Sequence, residues 1–191
     1  MEQILANFVG KYRREKLLSR SYLVVGVSLI VPGVLAGSQG PGLYPADETG
    51  KDPIRWNHMP IVLYHPIDKD GKAISARDPE ILNKSGMGFV FRTWFQDRLS
   101  AEAWFDEDIT RAVSPHVHEA VLNGDPLEIS TGLFTRSDPV KGIHNGVNYD
   151  FVARDHLPDH LAVLPDKVGA CSLKDVCGIN NGLLDNNAYG N

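Results

Sequence analysis

A run of apolar residues at 22–37 (YLVVGVSLIVPGVLAG) constrains the fold more than any other part of the chain. It follows a basic stretch, Arg13-Arg14-Glu15-Lys16, and ends in small residues, which is the outline of a signal peptide. The run lies well inside the sequence, however, and Glu2 and Glu15 interrupt the positive leader. It is too short to cross a bilayer as a helix, and it carries Gly26, Pro32 and Gly33. Its Val and Ile content favours a buried strand, broken at Pro32-Gly33. The expectation is an intracellular protein with a long first strand at about 22–31.

Further short runs of strand character follow. Residues 59–64 form one, closing on His65-Pro66, and Asp68, Asp70 and Gly71 mark the turn after it. A pair at 86–95 and 98–105 is joined through Gln96-Asp97. Strand character returns at 127–134, 147–152 and 161–164. Between them, Asp106-Glu107-Asp108 opens a helix with acids at its positive end. Ser114 and Pro115 read as the cap and first position of a second helical piece that stops at Asn123-Gly124. Residues 2–18 suggest a short amphipathic helix marked by Ile4, Phe8 and Leu17, and the Gly- and Pro-rich stretch 34–56 suggests loop. Many short strands with one or two inserted helices imply an α+β fold built around a bent, mostly antiparallel β-barrel or a strongly bent sheet, with the 106–123 helices packed outside. The expected organisation is an N-terminal helical extension at 1–20, one domain at 21–178, and a flexible Asn- and Gly-rich tail at 179–191.

With 191 residues the chain is large enough to bury about 70% of its unfolded surface without a disulfide or metal. Its 19 basic and 24 acidic residues give a net charge of -5, which argues against a nucleic-acid binder. Cys171 and Cys177 are too few for a disulfide scaffold and lack metal-site spacing. They are expected as reduced thiols, with a small disulfide loop as the alternative.

Seven histidines are the chief chemical feature. His116 and His118 stand two apart on a helix, so they point to nearly opposite sides and do not chelate together. The expectation for both is a solvated imidazole. His58 and His144 lie in loop-like sequence with no assigned role, and His156 and His160 flank Leu157-Pro158-Asp159. His65 ends one apolar strand, and Ser130 lies within another. A serine nucleophile needs an imidazole to take its proton, and that base needs a third group to orient it. Three groups on separate strands can meet this need. No GxSxG elbow is present, so the α/β-hydrolase form of this chemistry is unsupported.

The chain resembles the prohead proteases of tailed bacteriophages, capsid-maturation enzymes similar in fold to herpesvirus assemblin. The resemblance rests on Val31-Pro32-Gly33-Val34-Leu35 and on the run from Trp56 to Pro66 (WNHMPIVLYHP). It continues through Ser75-Ala76-Arg77-Asp78-Pro79, Leu99-Ser100-Ala101-Glu102-Ala103-Trp104 and Glu128-Ile129-Ser130-Thr131-Gly132. It closes with Tyr149 and the run Pro158-Asp159-His160-Leu161-Ala162-Val163-Leu164, so it covers about residues 22–170.

The resemblance implies a serine endopeptidase with Ser130 as nucleophile, His65 as base and His160 as the group supporting it, His156 being the competitor for that last role. The family's oxyanion stabiliser commonly has an Arg beside a Gly. Here Asp166-Lys167-Val168-Gly169 stands in that place, so Lys167, Val168 and Gly169 are the candidates. The resemblance also implies acyl transfer without cofactor or metal, with His65 within about 4 Å of the Ser130 hydroxyl. Scaffold and major capsid proteins would be the substrates, inside the assembling prohead in the host cytoplasm. A homo-oligomer is expected, with neither nucleic acid nor membrane as a partner. Two rival expectations are an inactive capsid-assembly scaffold of the same fold and a metal-dependent hydrolase using several histidines.

Overall fold

The expected long first strand is β2 (Arg20–Ile30), which lies one strand in from an edge of the sheet. Its residues from Leu23 onward are buried, and Leu23, Val25, Val27 and Leu29 belong to the core. The computed structural model describes residues 12–181. Before β2 comes β1 (Arg13–Leu17), where the sequence suggested helix. The correction has an electrostatic reason. Arg13 donates to both carboxylate oxygens of buried Glu102, at 3.1 and 2.7 Å, and Arg14 pairs with Glu107, so the charges line a sheet edge. Residues 1–11 and 182–191, which hold the rest of the expected helix and most of the expected tail, lie outside the described residues.

The stretch expected as loop instead forms a hairpin, β3 (Gly33–Gly37) with β4 (Gly40–Tyr44), and a short helix α1 (Ala46–Thr49). Then come β5 (Pro60–Leu63), α2 (Pro79–Ser85), β6 (Gly86–Phe95) and β7 (Leu99–Asp106). The expected helix pair follows as α3 (Glu107–Val113) and α4 (Pro115–Asn123). Asp106 and Ser114 cap them by accepting the backbone N–H groups of Ile109 and Val117, and Gly124 ends α4 in the left-handed region at φ 69°. The remaining strands are β8 (Ile129–Asp138), β9 (Gly142–His144), β10 (Val147–Tyr149), β11 (Phe151–Val163) and β12 (Gly178–Ile179). The expected strands at 147–152 and 161–164 are thus β10 and parts of one long β11. Ile179, expected to begin a flexible tail, is fully buried.

Strand order in the large sheet is β1-β2-β7-β6-β5-β11-β4-β3, with β12 on β2 and β8 on β11; β9 and β10 pair apart from it. Most ladders are antiparallel, but β11 runs parallel to β4 at one end and to β5 at the other. The sheet does not close into the expected barrel. Among the described residues a single isolated bridge, Leu127 to Ile179, joins the segment before β8 to two-residue β12, which is too short to continue a ladder. The described residues are therefore α+β, with an open mixed sheet and four α-helices. The core lies between the inward faces of β2, β7 and β11 and the apolar side of α4, where Val117 and Val121 are fully buried. Each such aliphatic side chain contributes roughly 1.5–3 kcal/mol on burial.

Two further expectations are corrected. His116 is exposed, but His118 is buried because α3 folds back over it, bringing Arg111 to 3.5 Å and Glu107 to 4.0 Å. Cys171 and Cys177 form a disulfide, not two free thiols, with their Cα atoms 5.6 Å apart. The cause is local. Ser172 caps a 3₁₀ turn at Leu173–Asp175, and Val176 then adopts φ 68°, folding the chain back on itself. No helix among the described residues is long and apolar enough to cross a membrane.

Candidate active site

Three departures from regular strand geometry build the site. The backbone N–H of Tyr64 donates to Val163 at 3.1 Å, the last rung beyond β5, and Tyr64 itself has φ 60°. That left-handed residue turns the chain, so His65 leaves the ladder at the sheet's end. On β11 the pairing with β8 steps from Pro158 opposite Leu133 to His160 opposite Gly132. Asp159 is the extra residue of this bulge, which ends the alternation of faces and allows two successive side chains to meet. The third departure is Gly132, where a Cβ would collide with the His160 ring. Glycine leaves the room that the imidazole fills.

Ser130 lies two residues before Gly132 on β8 and therefore faces the same side as the His160 ring. Ser130 pairs with Ala162 and is thus the cross-strand diagonal neighbour of His160; such neighbours are about 7–8 Å apart. Ser130, His65, Asp159 and His160 all line one cavity of about 780 Å³. Its walls include Leu29, Leu35, Leu133 and Phe134, and Lys167 and Val168 stand at its margin.

His65 Nδ1 lies 2.7 Å from His160 Nε2, and His160 Nδ1 lies 2.8 Å from an Asp159 carboxylate oxygen. The other Asp159 oxygen accepts the Ser75 hydroxyl at 2.5 Å, and the Ala76 N–H donates to the first at 2.9 Å. This set of partners fixes the protons. An ionised carboxylate only accepts, so His160 carries its proton on Nδ1 and accepts at Nε2. His65 then donates from Nδ1, which leaves His65 Nε2 as a free lone pair. The result is a neutral imidazole base whose outer nitrogen is unprotonated. No hydrogen bond joins Ser130 to His65 among the described residues; in a resting site this contact is commonly long and tightens with substrate bound.

Electrostatics agree with neutral rings. Burial, then His160, then Lys167 push the His65 pKa down to about 4. Burial also lowers that of His160, against the opposing pull of Asp159. Burial works to raise the Asp159 pKa, yet hydrogen bonds from Ser75, His160 and Ala76 outweigh it and hold the group below its ordinary value.

The structure thus brings together His65 and His160 and places Ser130 on their cavity. His156 is elsewhere: its ring packs on Tyr44 with centroids 5.6 Å apart, and no side chain among the described residues bonds to either nitrogen. Of the oxyanion candidates, Gly169 donates its N–H to Glu128 at 3.3 Å and is not among the cavity's lining residues. Lys167 and Val168 do line it, and the Lys167 ammonium sits 5.0 Å from the Tyr64 ring centre. Sequence reasoning missed Asp159, Ser75 and the Ala76 N–H. Their one signal was membership of the runs Ser75-Ala76-Arg77 and Pro158-Asp159-His160, which carried no assigned role. No family model matches the chain, and no curated protein or solved structure matches it.

Proposed function

We propose that this protein is a serine endopeptidase of the phage prohead-protease type, cutting scaffold and major capsid proteins, and its own chain, during prohead maturation. The 2.7 Å contact between His65 and His160 supports the reading, because it leaves the second His65 nitrogen unprotonated on a residue that lines the same cavity as Ser130. In the reaction His65 Nε2 takes the Ser130 proton as Oγ attacks a peptide carbonyl. The backbone N–H groups of Lys167 and Val168 are the donors for the developing oxyanion. The leaving amine takes the proton back from His65, and water completes the cycle by the same route.

A histidine supports the charged base less well than a carboxylate does in direct contact, which suits slow turnover. Slow cleavage is sufficient for an enzyme enclosed with its substrates, since confinement raises their effective concentration. The test is prohead assembly in the host with either the wild-type chain or Ser130→Ala. Wild type should yield shortened scaffold and capsid chains, and Ser130→Ala should leave them full length. Full-length chains with the wild type, in particles that still need this protein to assemble, would instead assign it to scaffolding.

A further inference from the structure

That mechanism makes no use of a buried carboxylate. Asp159 is 6% exposed, yet it accepts from Ser75 Oγ, the Ala76 N–H and His160 Nδ1. Two of these donors come from a segment more than 80 residues away in sequence. Removing a charge from water is costly unless its lone pairs are filled, so this arrangement holds an ionised group where an apolar one would be cheaper. The charged neighbours are few. Arg77 Nε lies 3.9 Å from the Asp159 oxygen that Ser75 contacts, and Lys167 acts on His65 at the other end of the relay. A carboxylate with Arg77 beside it thus stands behind His160, and an ammonium with no such partner among the described residues acts on His65.

We propose, resting on the serine-protease reading, that Asp159 is the positioning residue of the relay, fixing the His160 tautomer and drawing the charge of the activated base away from His65 onto His160. The proton path balances. As Ser130 Oγ bonds to the carbonyl carbon, its proton goes to His65 Nε2, and the proton on His65 Nδ1 passes to His160 Nε2. His65 remains neutral with its tautomer reversed, and His160 becomes an imidazolium beside Asp159. When the peptide C–N bond breaks, the leaving nitrogen takes the proton from His65 Nε2, and His160 returns its own to His65 Nδ1. The environments favour this division. His65 is disfavoured as a cation by burial, by His160 and by Lys167, whereas at His160 the adjacent carboxylate opposes the effect of burial.

The test compares wild type with Asp159→Asn by the rate at which diisopropyl fluorophosphate modifies Ser130 from pH 5 to 9, and by ¹⁵N NMR of the histidine rings. The asparagine carbonyl can still accept from Ala76 and His160 while its amide donates to Ser75, so the change removes charge and keeps the shape. Asp159→Asn should slow the reaction by about 100-fold or more and move the acid limb of its pH profile to lower pH. In wild type, His160 should carry its proton on Nδ1 and should charge before His65 on acidification. An Asp159→Asn rate equal to wild type, with an unmoved limb, overturns the role of Asp159 and leaves the protease reading standing. A wild-type His160 protonated on Nε2 overturns it too, without requiring that any variant fold. Failure of wild-type Ser130 to react at all removes the protease reading and this inference with it.

Discussion

His156 and His160 lie four residues apart on β11 and are buried to the same degree, 7% and 5% exposed, yet they stand in opposite chemical settings. Both nitrogens of His160 are engaged, one by Asp159 and one by His65. No side chain among the described residues bonds to either nitrogen of His156, whose only polar contact there is a long one to the Ala153 backbone, and its ring rests on Tyr44. Burial alone therefore says little about which histidine does chemistry. Each histidine sits in an irregular step of the β11–β8 ladder, His156 between Arg154 and Leu157 beside Asp155 at φ 51° and His160 after the Pro158–His160 bulge, but only the second bulge brings a carboxylate onto the ring.

The comparison is broken most severely by removing each ring in turn. His160→Ala should slow cleavage of a capsid-derived peptide by about 100-fold, in the range general for acid–base groups. His156→Ala should leave the rate within about twofold, since that residue is outside the cavity. Equal losses in the two variants would make burial, not the relay, the common cause. Gly132→Ala probes the same contrast from the opposite strand. Its methyl group would displace the His160 ring from its partners and leave His156 untouched. The expected result is a rate loss of tens of fold and a stability loss of about 1–3 kcal/mol from overpacking, read from peptide cleavage and urea unfolding.

The smallest effect is on stability at His156. A buried polar group left poorly hydrogen-bonded costs about 1–3 kcal/mol, so His156→Leu, which gives up only the long contact to the Ala153 backbone, should raise the urea midpoint at neutral pH by an equivalent of about 1 kcal/mol. Acid sharpens the test. His65, His156 and His160 all have folded pKa values below their ordinary one, His65 at about 4. Below about pH 6.5 the unfolded chain then binds more protons than the folded one. Stability is fully present above that pH and should fall as pH drops towards 4. His156→Leu should lessen this fall, and thermal melts from pH 7 to 4 measure it.

Much of the fold was legible because local and tertiary preferences agree. The apolar run that became β2, the hairpin β6–β7 and the capped pair α3–α4 each carry their own signal. Strand β1 does not, because its charged residues are stabilised by Glu102 and Glu107, some 90 residues distant. The same holds for the Gly-rich hairpin β3–β4 and the disulfide, which depend on turns the composition does not announce. The sheet's failure to close rests on the shortness of β12, a matter of a few residues. At the site, His65, Ser130 and His160 were approached through resemblance. Asp159 was hidden because strand alternation would send it away from His160, and only the bulge reverses that. Ser75 was hidden because a loop, not a motif, carries it to Asp159.

The central claim is that Ser130 is activated by the His65–His160 pair, and covalent labelling tests it most directly. Wild-type protein treated with diisopropyl fluorophosphate should gain one adduct, located by peptide mass spectrometry on Ser130, and His65→Ala should gain almost none in the same time. An unlabelled wild type, an adduct on another serine such as Ser75, or undiminished labelling of His65→Ala would contradict the account.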